Sequence, residues 1–103
     1  MNPPTKLHAA LLHQPTLIRF VPPPLMDGKV ECDGLCDAPQ RKPIPRIRIN
    51  RELRGVRMLD VLIHEMLHRL GWHIDEDFVS QGAEDIAEVL WQLGYRGAWD
   101  VER

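Results

Sequence analysis

Residues 64–68 read His64-Glu65-Met66-Leu67-His68, two histidines four positions apart with a glutamate after the first. On a helix, residues four apart stand on one side, about one turn from each other. Two imidazoles so placed can grip one divalent cation, and neutral imidazole nitrogen is a preferred zinc ligand. The intervening glutamate projects beside the metal. There it can take a proton from a metal-bound water and pass it to a leaving amine, the chemistry of a zinc peptidase. His64 and His68 are therefore the expected metal ligands and Glu65 the expected catalytic base.

A catalytic zinc site takes three protein ligands. Asp85, 17 residues past His68, is preferred as the third because it falls at the border of the next helix's apolar stripe, near the small Gly82. Its neighbour Glu84 points about 100° further round the helix and is the first alternative. His73 is the second. The run from His64 to His73 approaches the H-E-x-x-H-x-x-G-x-x-H pattern and has Gly71 at its glycine. The last histidine, however, comes one residue early, with Ile74 in its place. Asp60 could orient an imidazole and Tyr95 could serve an oxyanion, but a solvated carboxylate and a tyrosine packed on the second helix are the preferred readings; His8 and His13 are given no role. Cys32 and Cys36 lack the second pair that a structural zinc site needs, so they read as ordinary reduced thiols.

These residues need elements to hold them. All nine prolines lie before residue 46. Proline interrupts helices and sheet ladders, so the first half should consist of short strands and loops and the second of helices. Lys6 to His13 reads as a short helix capped by Thr5 and stopped by Pro15. Strands are expected over Leu17 to Val21, Lys29 to Asp33 and Ile47 to Ile49, with Pro39 to Pro45 irregular.

A helix is predicted over Val56 to Leu70. Its apolar positions (Val56, Leu59, Leu62, Ile63, Met66, Leu67, Leu70) mark a core face, and His64 and His68 share the outer side with Arg57 and Val61. Gly71 is expected as a left-handed cap. A second helix is predicted from Glu76 to Leu93. Asp75 would cap it, Glu76 and Asp77 would favour its positive end, Val79, Ala83, Ile86, Leu90 and Leu93 would be buried, and Gly94 would end it. The tail from Tyr95, with Trp99, should fold back on the body, and its end, Gly97 to Arg103, has the reach to block the cleft.

The 103 residues suit one domain of α+β class, a small twisted sheet with an active-site helix and a backing helix. With 13 basic and 15 acidic residues, the net charge of -2 gives no footprint for nucleic acid or an anionic membrane. The basic run Arg41, Lys42, Arg46, Arg48, Arg51, Arg54, Arg57 reads as a solvated face, balanced by the acids of the second helix. No apolar run is long enough to span a bilayer. Met1 to Leu12 lacks a signal peptide's plan, so a cytoplasmic location is expected.

The stretch from Ile47 to Arg96 resembles the minimal zincins, very small H-E-x-x-H proteins of phages, bacteria and archaea classed as metallopeptidases. The resemblance rests on Leu62-Ile63-His64-Glu65-Met66-Leu67-His68, and more loosely on Asp75-Glu76, Asp85-Ile86-Ala87 and Leu90 to Arg96. It implies Zn2+ as cofactor and a peptide or protein as substrate. It also implies an edge strand above the metal, with either Lys29 to Asp33 or Ile47 to Ile49 as that edge. A non-catalytic zinc module joining the two helices is the competing reading.

Overall fold

The computed structural model describes residues 2–100. They form an α+β fold in which a four-stranded mixed sheet is covered on one face by a helix, and a second helix packs on the first.

The chain starts with strands β1 (Lys6–Leu11) and β2 (Gln14–Val21), an antiparallel pair joined by Leu12 and His13. This corrects the expected helix over Lys6 to His13. Pro15 does not break the hairpin, because it sits opposite Ala10. The pair next to a two-residue turn (Leu11 with Gln14) exchanges the ladder bonds, so Ala10 needs no donor from residue 15. The hairpin lacks its usual sequence mark: Leu12 and His13 both take positive φ, 54° and 60°, where Asn-Gly is the ordinary choice.

A short hairpin follows, β3 (Leu25–Asp27) with β4 (Val30–Cys32). The chain then enters β5 (Gly34–Cys36), crosses the Pro-rich loop and returns as β6 (Arg46–Asn50). The order is β1-β2-β6-β5, with β2 and β6 parallel and β5 antiparallel to β6. Asp37 staples the loop by accepting from the Arg46 backbone N–H at 2.9 Å, from Arg46 Nε at 2.8 Å and from Arg41 at 3.2 Å. Burial pulls its carboxyl up, but the Arg46 bonds and the two guanidinium charges outweigh this and hold it below the usual carboxylate range.

Alternation on β2 and β6 builds the core. Ile18 pairs with Ile47 and Phe20 with Ile49, all buried, while Arg19 and Arg48 share the opposite face. Over this apolar face lies α1 (Val56–Leu70), with the bounds the apolar spacing predicts. It is rotated from the expected orientation. Its buried residues are Met58, Val61, Glu65 and Arg69, and Leu59, Leu62, Ile63, Met66 and Leu67 are only half-buried. The reason is that α1 meets two partners, the sheet and the second helix, so its apolar residues spread around a wide arc. Arg69 reaches β2 and donates to the buried Thr16 hydroxyl at 2.9 Å.

Helix α2 (Glu76–Gln92) is capped by Asp75, whose carboxylate accepts from the Phe78 N–H at 3.0 Å. It buries Val79, Ala83 and Ala87, but leaves Ile86 and Leu93 exposed against expectation. Gly71 is not left-handed (φ -144°). A side chain there would meet that of Ile74, which folds over it. The tail returns to the body. Trp99 packs edge-on against Phe20, and the Asp100 carboxylate accepts from the Gly55 N–H at 2.6 Å, at the start of α1. Through residue 100 the tail is thus tied to the end of α1 away from His68; residues 101–103, the rest of the expected cleft-blocking segment, lie outside the described residues.

Two adjacent non-glycine residues in the left-handed region store removable strain. Replacing Leu12→Asn and His13→Gly together should raise stability by about 1–2 kcal/mol. Urea denaturation checks this: the midpoint should rise at unchanged slope. A fall would mean that Leu12 contributes packing the turn geometry does not reveal.

Candidate metal centre

Helices α1 and α2 run antiparallel, joined by residues 71–75. A connection that short fixes which residues face each other. Counting outward from the turn places 76 beside 68 and 80 beside 64. Glu76, in the first turn of α2, therefore stands over the two histidines. Its Oε1 lies 3.2 Å from His64 Nε2 and its Oε2 2.9 Å from His68 Nε2. The two Nε2 atoms face each other at 3.1 Å, with the rings edge-to-face. His64, His68 and Glu76 could together hold a metal ion.

Glu76 was the residue missed. Its position favours the positive end of α2, and that explanation hid its second use. Its only sequence signal is its place in the first turn after a short interhelical connection, and the packing of α2 on α1 is what brings it to the histidines. The preferred third ligand, Asp85, is excluded by the same arithmetic: it lies nine residues further along α2, about 13 Å at 1.5 Å per residue. Its carboxylate instead accepts from Gln81 at 2.9 Å on the exposed face. Glu84 lines a hollow on the His64 side, and His73 is exposed in the turn; neither joins the group. Asp60 accepts from Arg57 at 3.3 Å. Tyr95 is exposed beyond the far end of α2, more than about 20 Å along the axis from Glu76.

Glu65 points to the sheet side, 8% exposed. Space for it exists because residue 34 is glycine. A Cβ there would stand 2.7 Å from Val61 Cγ1 and 2.9 Å from Glu65 Cγ, closer than side chains tolerate. Two hollows meet at this point, both lined by Gly34 and Glu65. One extends past His64 to Arg57 and Ser80, the other past His68 to Cys36 and Trp72. Burial, and then the negative charge of Glu76, pushes the Glu65 carboxyl up to about 7. Burial first and nearby carboxylates second also raise both thiols, Cys36 to about 12, which favours their protonated form.

The strand beside Glu65 is β5, which pairs only on its β6 side among the described residues. Ile47 to Ile49 is interior, flanked by β2 and β5, and β4 pairs within the separate hairpin. The edge next to the site is thus Gly34–Cys36, which lies in neither of the two expected edge segments. No family model matches the chain, and comparisons with curated proteins and with solved structures found no match.

Glu65 also ties metal-free stability to pH. A carboxyl whose pKa is raised on folding stabilises the fold below its unfolded value, near 4.5, and loses that contribution as pH rises toward 7. In chelator-treated protein, Glu65→Gln should therefore be more stable than the parent at pH 8, by about 1–3 kcal/mol, and near parity at pH 4. Denaturant titrations at both pH values measure the difference. A gain equal at both would trace to packing, not to charge.

Proposed function

We propose that this chain is a zinc-dependent peptidase of minimal zincin type, with His64, His68 and Glu76 as metal ligands and Glu65 as proton carrier. The arrangement of the three ligand side chains is the observation that carries the reading. Ligands at tetrahedral vertices with bonds of roughly 2.0–2.1 Å stand about 3.3 Å apart. The two imidazole nitrogens stand 3.1 Å apart, each lies 2.9–3.2 Å from a different oxygen of Glu76, and one ligand atom from each residue falls within 4.8 Å of the others. Two imidazoles and one carboxylate form a donor set suited to zinc and used in catalytic sites.

When bound, zinc supplies Lewis acidity at a carbonyl oxygen and brings the pKa of water toward neutrality. Glu65 takes the proton of the attacking water and hands it to the departing amine. Its burial suits the task, since a carboxyl raised toward neutrality both accepts and releases a proton readily. The outer edge of β5 offers backbone groups for an extended peptide to pair with, along the two hollows that meet at Glu65. A second reading, a metal that only clamps the helices, has one observation in its favour: the ligands come from both α1 and α2.

Zinc titration and a peptide-library digestion test these readings together. Glu76→Gln should weaken zinc binding at least tenfold, whereas Asp85→Asn should leave it unchanged. Glu65→Gln should keep zinc and lose at least about a hundredfold in turnover. Activity should rise with pH as Glu65 ionises, with its acid limb at or below about 7, because a cation beside the histidines favours the ionised carboxylate. Stoichiometric zinc with no cleavage of any library member would favour the clamp. Failure to take up zinc at all would remove both readings.

A further inference from the structure

Away from the metal centre, α2 presents a second feature. Phe78 (66% exposed), Val89 (58%), Leu93 (69%) and Ile86 leave large apolar surfaces in water. At 100° per residue they fall within an arc of about 80°, one continuous stripe beside the buried Val79–Ala83–Ala87 seam. Gly82 lies within that arc, and a side chain there would meet nothing within 4 Å. The stripe is therefore dented between Phe78 and Ile86. A second apolar hollow is formed by Ile86, Val89 and Leu90, with Asp85 at its border. An exposed apolar strip of this length is uncommon on a monomer and marks contact with another surface.

Charge selects the occupant. The helix holds Glu76, Asp77, Glu84, Asp85 and Glu88 and no lysine or arginine. By the same angular count Asp85 lies about 20° outside the stripe on its solvent side, with Glu88 and Asp77 about 80° and 100° outside it on that side. Asp85 accepts from Gln81 and Glu88 from Gln92, neutral donors that leave both negative charges in place. A second copy laid face to face would set these carboxylates against their own kind, and an anionic membrane would be repelled likewise. A partner with apolar residues at helical spacing and lysine or arginine on the flank matches both properties at once. From Phe78 to Leu93 the stripe runs about 22 Å, the length of a four-turn helix.

We propose that the outer face of α2 docks a basic amphipathic helix of a partner protein. The partner's apolar anchors fill the dent at Gly82 and the hollow at Val89, and its cations pair with Asp85 and Glu88. This face is independent of the metal centre, so binding there neither needs zinc nor reports on catalysis.

Two labelled 18-residue peptides of one Leu pattern, with Lys or with Glu at the polar positions, serve as probes in fluorescence anisotropy with the full chain, peptide integrity being followed by mass spectrometry. The Lys peptide should bind at least about tenfold tighter than the Glu peptide, with or without chelator. Val89→Asp should weaken it about tenfold or more. Joint replacement Asp85→Lys with Glu88→Lys should reverse the preference, which confirms the face even if Val89→Asp perturbs folding. Failure of the Lys peptide to bind, equal affinity for the two peptides, or binding indifferent to all three substitutions overturns the assignment. Dimers in sedimentation that Val89→Asp dissolves would give the face to a second copy instead.

Discussion

Close approach of α2 to α1 is the constraint from which the rest of the site follows. The seam is lined by Val79, Ala83 and Ala87, all fully buried and none larger than valine. Small side chains let two helix backbones come near each other, and the short turn at 71–75 fixes their register. Once that register is set, the first turn of α2 has one neighbour on α1, the His64–His68 pair. A carboxylate at position 76 must face the imidazoles, and one at position 85 cannot. A bound cation at that junction would in turn hold the register, because its ligands span both helices.

The other side of α1 faces the opposite demand. Most of its sheet-facing surface is apolar, yet it buries Glu65 and Arg69. Arg69 is accommodated by Thr16 across the interface. Glu65 is accommodated by a missing side chain, Gly34, and by a carboxyl that stays protonated to unusually high pH. Burying an ionisable group costs stability in its charged form, and the two hollows open at this very point. The local cost thus falls where a cleft meets the residues that could hold a metal ion.

The sheet supplies the cleft's other wall through a topology that separates duties. Strands β2 and β6 are central, and their Ile18, Phe20, Ile47 and Ile49 make the core on which α1 rests. Strand β5 has only three residues, and the Asp37 staple to Arg46 secures the loop leading away from it. Its edge, unpaired among the described residues, can therefore stand open next to Glu65 without the sheet coming apart.

Local signals were sufficient for several elements. The apolar spacing of 56–70, the Asp75 cap and the Ile47-Arg48-Ile49 alternation each depend on neighbours in the chain, and the structure has α1, α2 and β6 where they indicate. The approach of His64 to His68 was legible for the same reason, since one helical turn brings the two imidazoles together. Other features depend on partners distant in sequence. The β1–β2 hairpin has a turn without Asn or Gly, so only pairing along its length reveals it. The face that α1 buries was decided by its having two partners, which a single-helix pattern cannot express. Glu76 became a candidate ligand, and Asp85 did not, because the packing of two helices sets distances that face angles on one helix do not contain.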